Sequence, residues 1–300
     1  VNDFLRFCRQ DIYIDIKEYN KEILGADKPL LEKLWYKVIS KELLTFETMR
    51  KSCQIESWCK KYINNVYDMI LIDEAQDFDP IMMSILQNDT IIPKIYVGDP
   101  MQSIYKWRGS VNAFKRMPEN SLIVEFYSTF RIGDPACDEI SRKFKKCWMI
   151  SKSENNTKFV SQFKEDIGNY VYLFRSWRCL LQTAEFIPNV WIFNFENKIQ
   201  QIEKLYYHIQ KFPLTEEERD NYEDDLPNFL LELEEYELHK MISNIKYNLV
   251  EKNDARVQLY TIHSYKGLES DYVKLGYDID ESDQCLYYVA LTRGKKLICY

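Results

Sequence analysis

The sequence predicts an α/β protein built as two units. Short apolar runs of strand length recur along the chain, helical stretches separate them, and 300 residues suffice for two packed domains of about 100–200 residues each. Residues 29–46, "PLLEKLWYKVISKELLTF", carry apolar positions at helical spacing behind a proline suited to a first turn, and 53–65 has the same character. The pattern then changes. "MILI" (69–72), "KIYVG" (94–98) and "SLIVEF" (121–126) are apolar runs closed by turn or polar residues, as buried strands are. A second set follows: "NYVYLFR" (169–175), "VWIFNF" (190–195), "VQLYTIH" (257–263), "DYVKLGY" (271–277) and "KLICY" (296–300). Within it, "FPLTEEERDNYEDDLP" (212–227) is a solvated acidic stretch in which Thr215 and Glu218 have capping-box spacing, and a long helix is expected from about Asn228 to Val250. The expected division is a helical segment over 1–65, the rest of a first unit over 66–122, and a second unit over 123–300 with a helical insertion at about 198–252.

Composition narrows the function. The apolar fraction of 46% and charged fraction of 29% are those of a globular protein. A net charge of −7 opposes nucleic-acid binding by bulk electrostatics, though it leaves room for a narrow basic groove. Eight cysteines form no CxxC, and His208, His239 and His263 stand in no zinc spacing. Reduced core cysteines in an intracellular protein, cytoplasmic or nuclear, are the expectation. No apolar run reaches the ~18 residues of a membrane span.

Two stretches carry chemistry. In "DMILIDEAQDFDP" (68–80) an apolar run leads straight into Asp73 and Glu74. An aspartate at a buried strand's end can hold Mg²⁺, and the adjacent glutamate can polarise an attacking water. The plain alternative is an acidic helix start. In "VGDPMQSIYKWRGS" (97–110), Gly98 permits a tight turn. Gln102 is a double-ended hydrogen bonder suited to sensing a phosphate and its water. Tyr105, Lys106, Trp107 and Arg108 interleave aromatics with cations, a pattern that fits single-stranded nucleic acid. Trp107 alone would suit a core as well.

Together these stretches resemble the second and third motifs of the UvrD/Rep-like superfamily 1 DNA helicases. "STFRIGDP" (128–135) resembles the fourth motif, "TIHSYKGLESDYV" (261–273) the fifth and "LYYVALTRGKKLI" (286–298) the sixth, in the family's order. The style of the fourth motif and "DFDPIMMSIL" is similar to the F-box DNA helicase branch. The resemblance covers about 68–300, and is loose through 198–252. It implies two RecA-like P-loop NTPase domains with parallel sheets, the first incomplete. It also implies ATP and Mg²⁺ as cofactors, and movement 3′ to 5′ on single-stranded DNA, in DNA repair or recombination.

The resemblance implies a role for each matching residue. Asp73 would hold Mg²⁺, Glu74 would act as base, and Gln76 would lie beside them. Gln102 would couple the γ-phosphate to the DNA site. Trp107 would stack on a base, with Tyr105 and Arg108 along the DNA path. Arg131 would reach the γ-phosphate and Phe130 would stack on adenine. Thr261 and His263 would line the DNA groove, Gly267 and Glu269 would approach the nucleotide, and Arg293 would be the arginine finger. Arg175 matches a recurrent arginine without a set role. Taken singly, several have plainer readings. His263 suits a strand end, Arg131 could pair with Asp134 or Asp138, and Lys266 and Glu269 could be surface charges.

One part of the expected site is missing. No G-x-x-x-x-G-K-[ST] occurs in the 300 residues, and Gly25 has no GK pair with it. Three explanations stand: a partial gene product, half of a split helicase whose phosphate loop sits on a second chain, or a retired helicase that only binds DNA or serves as a scaffold. The start at Val and the end right after the sixth motif favour a fragment, with little activity expected from this chain alone.

Overall fold

A computed structural model describes residues 2–11, 15–22, 28–145, 148–164, 167–215, 219 and 225–300. It is α/β, with all of its strand pairs parallel among the described residues. Contacts divide the chain into two units, 1–121 and 122–300.

The first unit opens with helices Asn2–Arg9, Ile16–Glu22 and Lys28–Ile39, which bury Phe4, Phe7, Tyr19, Leu31 and Trp35 against one another. The helix expected over 29–46 is shorter than its apolar pattern. It stops at Ile39, Lys41 turns with φ +63°, and Thr45 starts a new helix, Phe46–Ile55. Thr45 and Thr48 cap that helix reciprocally, each side chain taking the other's main-chain N–H. The 53–65 stretch is likewise broken, at Ser57, before a short helix at Trp58–Tyr62.

Lys51 is fully buried at the centre of these helices. Its ammonium donates to the Gln10 carbonyl (3.0 Å) and Gln54 Oε1 (2.8 Å), and lies 4.6 Å from the centre of the Phe7 ring. Gln54 passes the connection on to the Asp11 carbonyl and Ser84 Oγ.

Strands β1 (Ile70–Ile72) and β2 (Lys94–Tyr96) form a two-stranded sheet. Period two sets their faces. Ile70, Ile72 and Tyr96 pack with Met83 and Leu86 of the helix Pro80–Asn88, which Asp79 caps at Met82 N. The other face is open, with Leu71 71% exposed beside Ile95. "SLIVEF" corrects an expectation: it forms no strand and pairs with no described strand, and Phe126 is 92% exposed. Strandhood needs a neighbour as well as composition.

The second unit begins with β3 (Ser128–Thr129) and β4 (Ile150–Ser151), paired to each other. Its main sheet has six parallel strands: β5 (Lys158–Val160), β6 (Tyr170–Phe174), β7 (Val190–Ile192), β8 (Val257–Thr261), β9 (Ser270–Leu275) and β10 (Gly294–Cys299). Their order is β5-β10-β9-β6-β8-β7. Helices Trp177–Ala184, Phe195–Lys211, Leu226–Glu232 and Glu235–Asn248 share one core with β6, β7 and β8, centred on Phe174, Leu180, Leu181, Leu230 and Ile245. The single helix expected from Asn228 to Val250 is thus two. Leu233 extends between them, and Glu234 restarts the second by exchanging capping bonds with Glu237. Glu218 of the expected Thr215 capping box lies outside the described residues. No described helix is long and apolar enough to cross a membrane, and no disulfide joins the described cysteines.

Burial lowers the Lys51 pKa from its ordinary 10.5 to about 8. Between those values the unfolded chain binds the extra proton, so stability due to this group rises as pH rises from 8 to 10.5 and is lost as pH falls through 8. Urea melts of wild type and Lys51→Met across that range should differ by a pH-dependent amount of roughly 3 kcal/mol in all. Taking the difference removes most of the contribution of Cys8, whose thiol burial pushes up to about 12. A difference that stays flat with pH would show that Lys51 keeps its ordinary pKa.

Candidate functional site

The first unit places Asp73 and Glu74 at the carboxyl end of β1, both exposed. Glu74 adopts φ +52°, a conformation that costs a non-glycine residue of order 1–2 kcal/mol. Two contacts fix it there. Asp73 Oδ1 accepts the Glu74 N–H (2.9 Å), and Gln76 Nε2 donates to Glu74 Oε2 (2.5 Å). Gln76 is itself buried. Its Oε1 accepts the Asp99 N–H (3.2 Å) and its carbonyl accepts Ser103 Oγ (3.1 Å). Asp99 then accepts from Met101 N (2.9 Å) and from Gln102 Nε2 (3.0 Å). Glu74, Gln76, Asp99 and Gln102 therefore form one hydrogen-bonded relay between the ends of β1 and β2. Asp99 is the member whose part the sequence did not reveal. Gly98 makes the relay possible, because a Cβ there would stand 2.1 Å from Gln76 Oε1.

Tyr105, Trp107 and Arg108 follow on the same loop. The Arg108 guanidinium lies 4.6 Å from the Trp107 ring centre and 5.5 Å from that of Tyr105. Both rings are half-buried and the arginine is exposed. A planar cation held against two rings suits stacking on bases beside a phosphate.

In the second unit the parallel sheet sorts the candidates onto two edges. The carboxyl edge carries Arg175 after β6, Thr261 as the last residue of β8 and His263 just beyond it. Thr261 Oγ1 caps the short helix Ile262–Tyr265 at Ser264 N (3.3 Å) and is buried, whereas His263 is half-buried. Arg175 is exposed on a turn that Asp278 fastens by accepting from Arg175 N, Ser176 N and Ser176 Oγ.

The amino edge carries Glu269 before β9 and Arg293 before β10. The segment after β3 joins that edge through Thr157, whose Oγ1 takes the Gly133 N–H and donates to the Lys295 carbonyl. Arg131 Nε meets Glu269 Oε2 at 2.5 Å, and Arg131 Nη1 donates to the Thr292 carbonyl (3.3 Å). The short-range partners Asp134 and Asp138 give way to Glu269. The network continues: Lys295 Nζ lies 3.6 Å from Glu269 and 3.5 Å from Asp271, and Lys296 lies 2.7 Å from Asp271. Arg131, with burial opposing it and Lys295 adding to it, holds the Glu269 carboxyl below its ordinary range, and Lys296 does the same for Asp271.

Gly267 has φ +85° and open space around it, so the turn before Glu269 uses glycine's backbone freedom. Phe130 is 76% exposed. Arg293 stands apart from Arg131, Lys295 and Lys296 at only 1% exposure. Its Nε donates to the Val289 carbonyl (2.9 Å), its Nη2 to Thr292 Oγ1 (2.9 Å) and its Nη1 to the Leu268 carbonyl (3.5 Å).

No described cluster of three or more His, Cys, Asp or Glu could cage a metal. The Asp73–Glu74 pair does fit Mg²⁺, which binds through one or two carboxylates and takes its other ligands from water and substrate phosphates.

Substituting Gly98→Ala should destabilise the protein by about 1–3 kcal/mol in a denaturant melt. Adding Gln76→Ala should recover part of that loss, because the clashing atom belongs to Gln76. Full wild-type stability in Gly98→Ala would mean that the β2 turn does not press on Gln76.

Residues 13–120 match the family model described as UvrD/REP helicase N-terminal domain. Among individual proteins, F-box DNA helicase 1 of Gallus gallus is 42% identical over 69 residues, which is 22% of this chain and 6% of that protein. The RecBCD enzyme subunit RecB of Chlamydia pneumoniae is 30% identical over 116 residues, 35% of this chain and 10% of that one. The matches thus span a small part of either relative. Residues 13–120 are thus similar to the N-terminal domain of UvrD/REP helicases, and both relatives are consistent with a UvrD-like superfamily 1 likeness.

Proposed function

We propose that this chain supplies most of an ATP-dependent DNA helicase or translocase, organised as two RecA-like domains that move 3′ to 5′ on single-stranded DNA. The observation that carries this is the Glu74–Gln76–Asp99–Gln102 relay. It ties an acidic pair suited to Mg²⁺ and water to a loop bearing Trp107 and Arg108. A shift of Gln102 at a phosphate would reach the base-stacking rings within a few residues.

The roles proposed are those that the resemblance implies, and the local geometry supports several of them. Asp73 would hold Mg²⁺, which when bound neutralises charge on the phosphates. Glu74, oriented by Gln76, accepts the proton of the attacking water. Arg131 and Arg293 would stabilise the charge that develops on the transferred phosphoryl group. Phe130, an exposed ring next to Arg131 in sequence, would stack on adenine. Gly267 and Glu269 would meet the ribose side. Tyr105, Trp107, Arg108, Thr261 and His263 would contact single-stranded DNA.

The phosphate cradle has to come from a segment outside these 300 residues, covalently linked or on a second chain. The open face of the β1–β2 sheet supports this, because parallel strands are normally covered on both faces and two strands make a marginal sheet.

ATP turnover should be negligible for this chain alone. It should appear, stimulated by single-stranded DNA, when a strand–G-x-x-x-x-G-K-[ST]–helix segment is restored, and Glu74→Gln should abolish it. Streptavidin displacement from one DNA end or the other reads the direction. Trp107→Ala should weaken oligonucleotide binding by about 1–3 kcal/mol. A completed protein that binds DNA indifferently to ATP and never turns over would establish instead a non-catalytic single-strand binder or scaffold.

A further inference from the structure

The amino-edge network in the second unit alternates in sign: Arg131, Glu269, Lys295, Asp271, Lys296. Three cations face two carboxylates. All five side chains are a third to a half exposed, so they can exchange partners without unfolding anything. Two features make the arrangement more than a surface decoration. Arg131 is also fixed at the Thr292 carbonyl, so its guanidinium is already aimed by a second contact. Glu269 is held unequally, at 2.5 Å by Arg131 and at 3.6 Å by Lys295.

We propose that Glu269 occupies Arg131 in place of a phosphate, and that Lys295 is the positioning residue that takes Glu269 over when a polyphosphate arrives. This rests on the reading of Arg131 as a phosphate ligand.

The chemistry requires such a partner. A phosphate oxygen binding Arg131 must displace the Glu269 carboxylate. Left without a cation beside the incoming anion, that carboxylate would be repelled, and the repulsion would oppose binding. Lys295 lies within reach of Glu269 and has Asp271 as its alternative partner, while Asp271 keeps Lys296. One step along the ladder therefore frees Arg131 and leaves no carboxylate alone. Lowering of the Glu269 pKa by Arg131 and by Lys295 agrees with a carboxylate shared between the two cations.

The test is a double-mutant cycle on the full chain, with inorganic tripolyphosphate as probe and calorimetry as readout. Glu269→Gln should tighten binding about two- to fivefold, the size expected for releasing an exposed ion pair, and Lys295→Met should weaken it by a similar factor. In the double variant the Lys295→Met loss should largely vanish, because no carboxylate needs a new partner. Simple long-range charge effects would add instead, so additive effects overturn the proposal. A second readout does not depend on affinity. Carboxyl NMR should show the Glu269 pKa staying low on saturation with tripolyphosphate in the wild type, and rising toward an ordinary carboxylate in Lys295→Met. A pKa unchanged in both would overturn the handover. Arg131→Ala separates the two levels. If it leaves tripolyphosphate binding intact, or if neither wild type nor Glu269→Gln binds at all, the phosphate role of Arg131 fails and the handover falls with it. If Arg131→Ala abolishes binding while the cycle is additive, Arg131 keeps its role and the handover alone is refuted.

Discussion

The common direction of the six strands in the second unit constrains everything attached to them. A parallel sheet needs a crossover between successive strands, so each crossover starts at one edge and ends at the other. In this sheet the two edges therefore carry different chemistry. The fifth-motif stretch shows how: Thr261 closes the carboxyl end of β8, four helical residues that include His263 follow, Gly267 turns, and Glu269 arrives at the amino end of β9. Eight residues thus connect two edges separated by roughly 15–20 Å of strand. The crossover into β10 ends likewise at the amino edge, with Arg293 and Lys295. Residues near in sequence lie far apart, and residues far apart in sequence meet: Arg131 finds Glu269 across 138 positions.

The first unit works under the opposite condition. Its two strands leave one apolar face open, so the order of the site depends on local devices. The αL glutamate, the buried glutamine and the glycine that admits its carbonyl oxygen are all of that kind. The N-terminal helices add a second local device, the buried Lys51. Removing a buried cation's acceptors, or the cation itself, strands polar groups, which ties the Phe46–Ile55 helix firmly to the segment around Gln10 and Asp11.

How much of this the sequence disclosed follows from the range of each interaction. The runs at 169–175, 257–263, 271–277 and 296–300 read as strands because strands buried on both faces are nearly continuous in apolar residues. "SLIVEF" has the same composition and fails, because no described strand pairs with it. The helix breaks at Leu233–Glu234 and before Thr45 were hidden inside apolar periodicity, although Thr45 with Thr48 and Glu234 with Glu237 are local capping pairs that a finer search would find. At the site, Asp73, Glu74 and Gln102 announced themselves by spacing and order. The bond from Gln102 to Asp99, the part of Lys295 and the burial of Arg293 did not, because each depends on which loops the fold brings together.

Arg293 shows the consequence most sharply. Carbonyl and hydroxyl oxygens hold its guanidinium, and these acceptors make a buried cation tolerable. Bringing that group to a phosphate means giving up its bonds to Val289 and Leu268, which lie on the helix and the turn flanking the amino edge. The Thr292 peptide beside it accepts from Arg131. A movement of the 292–294 turn that exposed Arg293 would therefore strain the contact that aims Arg131. Conversely, a ligand drawing Arg131 outward would pull on the same peptide. The two arginines thus meet at one residue, Thr292, whose carbonyl accepts from Arg131 and whose hydroxyl accepts from Arg293.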